Sequence, residues 1–235
     1  MIKEKDIIEI ALASIPEEVD FAFRTSDAKS KKSNTANTWQ SGRSEFKKFT
    51  DLFPGDLAKN IVRHAAYKQG IQFIDYDKIR TDNFQYNDKF DLSIGNQFIE
   101  VKSSIEKYNN SLATLIDSRR FIVYPDREIS NLIFQVFYVF ENNTGKSFFT
   151  DMEKLPDVQF QNKYSITSKK SFVQSFIKYS PNGCIMGFIT KEMALKRKDE
   201  IFNYSNSSVE GDSKRKYIDF FIKDGIPFSE LAKYL

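Results

Sequence analysis

The run DLSIGNQFIEVKSS, Asp91 to Ser104, sets two carboxylates and an amine among residues that otherwise read as buried strand. Gly95-Asn96 is a two-residue hairpin turn between two strand-like segments. With that turn as the centre, Ile94 opposes Gln97, Ser93 opposes Phe98, Leu92 opposes Ile99, and Asp91 opposes Glu100. Alternation along a strand then puts Asp91, Glu100 and Lys102 on one face. Leu92, Ile94, Ile99 and Val101 take the other face and supply core. Opposed carboxylates destabilise a hairpin, more so when partly buried. The Lys102 ammonium can offset this, and so can a divalent metal. Two carboxylates, a backbone carbonyl and water suit Mg²⁺.

The flanking sequence reads as alternating helices and strands. Ile7, Ile8, Ala11, Leu12 and Ile15 recur at helical spacing and stop at Pro16. Residues 25–42 are poor in apolar groups and carry Lys29, Lys31 and Lys32, which predicts an exposed basic loop. Residues 44–50 and 55–69 read as two helices, with Gly70 as the C-cap of the second. IQFIDY is a strand, and residues 78–89 are a polar connection. Downstream of the hairpin, RRFIVYP and LIFQVFYVF are two more strands. A helix around residues 170–178, a strand at 184–189, a helix starting at Thr190, a strand KYIDFFI and a short final helix SELAKYL complete the chain.

The bulk numbers limit the function classes. The 235 residues suggest one large domain, or a core with an added lobe, and 40% of them are apolar, enough for a substantial core. The net charge of +3 excludes a polycation that coats nucleic acid, so any basic surface is local. Cys184 is the one cysteine, which rules out an internal disulfide and fits a reducing compartment. His64 is the one histidine, which argues against a His-rich metal site, and it reads as a packing or surface residue. No stretch approaches the roughly 20 apolar residues of a spanning helix, and the start does not read as a signal peptide. A soluble, cytoplasmic protein with no membrane partner is expected.

The triad Asp91, Glu100 and Lys102, with eight residues between the acids, resembles the signature of the PD-(D/E)XK nuclease superfamily. The bare pattern is weak: an acid-x-Lys triplet also occurs at Asp27, Glu45 and Asp212, without a hairpin or an apolar back. The flanks carry more. The order of GDLAKNIVRHAAYKQG, a strand and then DKFDLSIGNQFIEVKSS is similar to the first half of the family core. That run, with RRFIVYP, LIFQVFYVF and GFITKEMALKR, looks like type II restriction endonucleases. Phe90 stands where the family often has Pro.

The resemblance implies an α/β restriction-endonuclease-like core, a mixed central sheet flanked by helices, with added helical N-terminal and recognition segments. One nuclease domain would span 1–235, with N-terminal helices and basic loop at 1–50, catalytic core at 51–145, and a recognition and core-completing region at 146–235. Asp91 and Glu100 would bind Mg²⁺ with the Val101 carbonyl. Lys102 would position the attacking water and stabilise the transition state. Many members add an acid from the first core helix: Asp56 is the best match, Glu45 a second, and for Asp56 a plain dipole-favoured helix acid is the alternative. The implied function is Mg²⁺-dependent, sequence-specific cleavage of double-stranded DNA by a homodimer, with a cognate DNA methyltransferase as a genetic but not a stable partner. The alternatives are a structure-specific repair or recombination nuclease and a non-catalytic DNA-binding protein on the same fold.

DNA binding would need phosphate contacts. Ser103 and Ser104 could bond a phosphate, or cap the next element. Lys31, Lys32, Arg43, Lys47, Arg119, Arg120, and the runs at Lys169-Lys170, Lys196–Lys198 and Lys214–Lys216, form local basic clusters that either touch DNA or are solvated faces.

Overall fold

The computed structural model describes residues 1–32, 43–86, 88–106, 111–124, 128–140, 148, 166–197, 202–205 and 214–235. Part of the expected basic loop, 33–42, lies outside these residues.

The hairpin forms in the expected register. Strands β3 (Leu92–Ile94) and β4 (Gln97–Glu106) pair with Leu92 opposite Ile99 and Ile94 opposite Gln97. Gly95 takes a left-handed φ of +54°, and the described non-glycine residues with positive φ are Asn83 and Phe84, so Asn96 is not among them. One positive φ, at the first central position, is the type II′ pattern, whose twist suits a hairpin.

Around the hairpin the chain builds a mixed α/β sheet. With β1 (Ile8–Ala11), β2 (Ile74–Asp75), β6 (Leu132–Val139) and β7 (Asn182–Thr190), the order is β1-β7-β6-β4-β3-β2. The β4/β6 pair is parallel and the other pairs are antiparallel. Parallel neighbours need a crossover. Helix α4 (Leu112–Ser118) and β5 (Arg120–Val123) lie in it, and β5 joins β9 (Lys214–Phe221) and β8 (Phe202–Ser205) in a second sheet.

Each face of the central sheet buries its own cluster. On one, Leu57, Ile61 and Val62 meet Leu92, Ile99 and Val101. On the other, Leu115 and Phe220 meet Ile133 and Phe137. Glu100 and Lys102 are laterally aligned with Ile133 and Gln135, so they share this second face. The apolar back anticipated for the hairpin is the first face.

Three expectations change. Residues 8–11 are a strand, not part of a helix ending at Pro16, because Ile8 to Ala11 pair with β7. Pro16 instead opens helix α1 (Pro16–Ser30) as its first residue, where a missing N–H costs nothing. Residues 25–30 therefore belong to a helix rather than a loop. The two helices read at 44–50 and 55–69 are one, α2 (Glu45–Lys68), which continues through Pro54. Proline there removes the bond to the Thr50 carbonyl. Packing outweighs that loss: Phe46, Phe49 and Phe53 before it and Leu57 and Ile61 after it share one core, and the Tyr138 hydroxyl donates to the Pro54 carbonyl at 2.8 Å. Gly70 follows α2 with φ +77°, as its C-terminal stop requires. Helices α5 (Ile166–Tyr179) and α6 (Lys191–Lys196) flank β7, and Thr190, the expected start of a helix, is the N-cap of the second. Among the described residues no helix is long and apolar enough to cross a membrane.

The most consequential change concerns Lys29. It is 7% exposed, and its ammonium donates to Asp56 at 2.8 Å, Asp77 at 2.9 Å and Asp88 at 3.0 Å. Those acids come from α2, from α3 (Tyr76–Ile79) and from the loop before the hairpin. Lys59 of α2 reinforces the knot, bonding Asp77 and lying 3.2 Å from Asp75. Arg80 clamps the loop by bonding Asp82 at 2.7 Å together with Asp77 and Asp88. Removing one partner of a buried ion pair leaves the other uncompensated, at a cost of about 3–5 kcal/mol. Lys29→Met should therefore lower unfolding stability in urea by about that amount, while Lys31→Met should stay within about 0.5 kcal/mol. A loss below about 1 kcal/mol in Lys29→Met would mean that the knot does not hold the loop.

Candidate active site

Asp91 is fixed at three points. Its N–H donates to the Ile99 carbonyl at 3.2 Å, and its carbonyl accepts from Tyr76 N–H at 3.2 Å. Its Oδ2 accepts from Val101 N–H at 2.7 Å. Strand β3 begins at Leu92, so the carboxylate continues the ladder where a strand carbonyl would otherwise stand. The pairing register carries Glu100 opposite Asp91. Lys102 forms an ion pair with Glu100, their side chains being 27% and 33% exposed. The Lys102 ammonium lies 5.6 Å from the Tyr124 ring centroid.

Asp91, Glu100 and Tyr124 line a cleft of about 160 Å³ together with Asp88, Lys89, Phe90 and Glu128, and Lys102 reaches it through its ion pair with Glu100. Burial pushes the Asp91 carboxyl up to about 6, and Glu100 pushes the same way; Lys59, Lys29 and the Val101 N–H pull it down without prevailing. In Asp77, burial is outweighed by Lys29 and Lys59 together, and its carboxyl is held down to about 2.

The donor chemistry fits a hard divalent cation. Val101 presents its carbonyl on the same strand edge as the N–H that Asp91 caps, and Asp91 and Glu100 line the same cleft. Among the described residues no group of three or more His, Cys, Asp or Glu is disposed to hold a metal. An ion here would rest on two carboxylates, a peptide oxygen and water, which suits Mg²⁺ and not Zn²⁺.

The other candidates lie elsewhere. Asp56 accepts from Ser26 Oγ at 2.6 Å and from Lys29, inside the buried knot and outside the cleft lining. Glu45 accepts from Lys169 at 2.5 Å. Lys169, read as part of a basic cluster, is 1% exposed and also bonds Asp27, so it is a structural residue rather than a DNA contact. Ser104 Oγ accepts from Gln135 at 3.2 Å, while Ser103 faces α2 at Gly55. Arg43 and Lys47 both pair with Asp51, Arg119 with Glu106, Arg120 with Asp219 and Lys31 with Asp27. Lys32 follows the end of α1. None of these lines the cleft, where Lys89 is the basic group among the described residues.

Of the remaining single residues, His64 contacts Glu18 at 3.2 Å and is partly buried, in keeping with a packing role. Cys184 is buried, and burial pushes its thiol up to about 12, which makes it inert. Sequence reasoning misses Tyr124, Glu128 and the buried roles of Lys29 and Lys59. Lys59, one turn after Asp56, is the most accessible signal.

Comparison with known proteins yields no match among family models, curated proteins or solved structures.

Burial of Asp91 gives the fold a pH dependence. Its folded value, about 6, exceeds the ordinary 3.8. The stability tied to its neutral form is complete below 3.8 and lost as pH rises through about 6. Above that, ionised Asp91 costs folding on the order of 1–2 kcal/mol once solvent screening is allowed for. Asp91→Asn should therefore stabilise the metal-free protein by about 1–2 kcal/mol at about pH 7.5, and the gain should vanish near about pH 4 in denaturant titrations. A gain that grew as pH fell would reverse the assignment.

Proposed function

We propose that the chain is a Mg²⁺-dependent DNA endonuclease that hydrolyses phosphodiester bonds at the cleft of Asp91 and Glu100, with Lys102 paired to Glu100. The observation that carries this reading is the Asp91 carboxylate, locked by Val101 N–H opposite Glu100, with Lys102 on the same face. The resemblance to PD-(D/E)XK nucleases supports the same reading.

Bound Mg²⁺ supplies charge neutralisation at the phosphate and acidifies coordinated water. The rest falls to the chain. Asp91 and Glu100 would hold the cation, with the Val101 carbonyl. Lys102, partly exposed and turned toward Glu100, exchanges that carboxylate for a phosphate oxygen or the attacking water. Its ammonium donates hydrogen bonds to the negative charge that grows in the transition state. Tyr124 lies beside the lysine and limits where its stem can go. Cutting both strands would need two such sites, most simply in a twofold dimer. The restriction reading, a sequence-specific enzyme with a separate methyltransferase, is the leading form. Cleavage guided by DNA structure is the second, favoured by the aromatic groups at the cleft.

Long phage and plasmid DNAs incubated with Mg²⁺ or with EDTA test this. Discrete Mg²⁺-dependent fragments are expected, and Asp91→Ala or Lys102→Ala should each lose on the order of 10²-fold or more of the rate while remaining folded. Full activity in either variant would sink the site assignment. Preference for branched over linear duplex would select the second form.

A further inference from the structure

Three aromatic rings pack together at the lip of the cleft. Phe90 lines it and directly precedes Asp91. Phe98 is two residues before Glu100 on β4, on the same face. The Phe90 and Phe98 rings are stacked, with centroids 5.0 Å apart and planes 12° apart. Tyr76 braces Phe90 edge-on at 5.0 Å. Phe98 is outermost, and 41% of its surface is open.

A lone exposed phenylalanine needs no explanation. This one differs in its setting. The Tyr76–Phe90 brace fixes the ring's plane, so a flat π surface stands ready without loss of side-chain freedom. It stands beside the acid pair, with exposed Lys89 nearby in the chain and lining the same cleft. A planar aromatic ligand joined to a phosphodiester is a nucleotide in a strand, and bases stack on such rings irrespective of their identity. Within an intact duplex both faces of a base are covered by its neighbours. The Phe98 face can therefore receive only a base that is unpaired or unstacked.

We propose that Phe98, braced by Phe90 and Tyr76, is a stacking platform for an unpaired nucleobase of the strand held at the acid pair. The favoured substrate is then DNA with an unpaired or extruded base beside the scissile phosphate. This rests on the nuclease reading above.

The test compares binding, by fluorescence anisotropy in Ca²⁺, of a fully paired oligonucleotide and the same oligonucleotide with one unpaired base. Wild-type protein should bind the second more tightly by about tenfold or more. Phe98→Leu, which keeps an apolar side chain but no π face, should erase that margin, and Phe98→Trp should keep it. No margin in the wild type, or an unchanged margin in Phe98→Leu, overturns the platform. So does a shift of Phe98→Leu to a smaller species in sedimentation, which would make the ring a contact between copies. Failure of the nuclease reading is seen separately, as absence of Mg²⁺-dependent strand breaks in either oligonucleotide.

Discussion

Two carboxylates set opposite each other on a short hairpin repel, and removing one of them from water raises the cost further. Most of the surrounding architecture answers that constraint. Val101 N–H caps Asp91 at 2.7 Å, Lys102 pairs with Glu100, and two buried lysines draw the Asp91 carboxyl down from behind. Burial still prevails at Asp91, whose carboxyl stays near 6. A site that cannot comfortably carry its own negative charge is one that a divalent cation relieves. The strain and the proposed chemistry thus have the same source.

The buried lysines tie this site to the rest of the fold. Lys29 reaches from α1 to acids on α2, on α3 and in the loop before the hairpin, and Lys59 doubles the hold on Asp77. Asp88 stands three residues before Asp91, so the knot sets where the loop carrying Asp91 enters the sheet. Behind Val101, α2 closes the apolar face. In front, Tyr124 from the end of β5 and Phe90 from the loop shape the cleft.

The hairpin is legible in the sequence because two local signals agree: alternation along each strand and a glycine able to take the positive φ of its turn. Register follows from the turn alone. The first strand is not legible, because Ile7, Ile8, Ala11, Leu12 and Ile15 fit a helical period as well as they fit an edge strand, and its partner β7 lies more than half the chain away. Pro16 is ambiguous because proline stops a helix from within but also starts one. Pro54 suggests a break that aromatic packing on both sides overrides. Lys29 looks like a solvated residue since its partners Asp56, Asp77 and Asp88 lie far along the chain, where no local pattern points to them. Asp56 is legible as a helix acid, but not as the partner of Lys29. The acid pair emerges from spacing; the counter-charges behind it emerge only from the fold.

The most direct measurement is calorimetric titration of Mg²⁺ into the protein near about pH 6, in two buffers of different ionisation heat. The wild type should bind the ion and release a proton, because binding requires ionised Asp91, whose carboxyl titrates near that pH. Asp91→Asn should lose both the binding and the proton. Binding that survives Asp91→Asn, or occurs with no proton release, would contradict a cation site built on this hairpin.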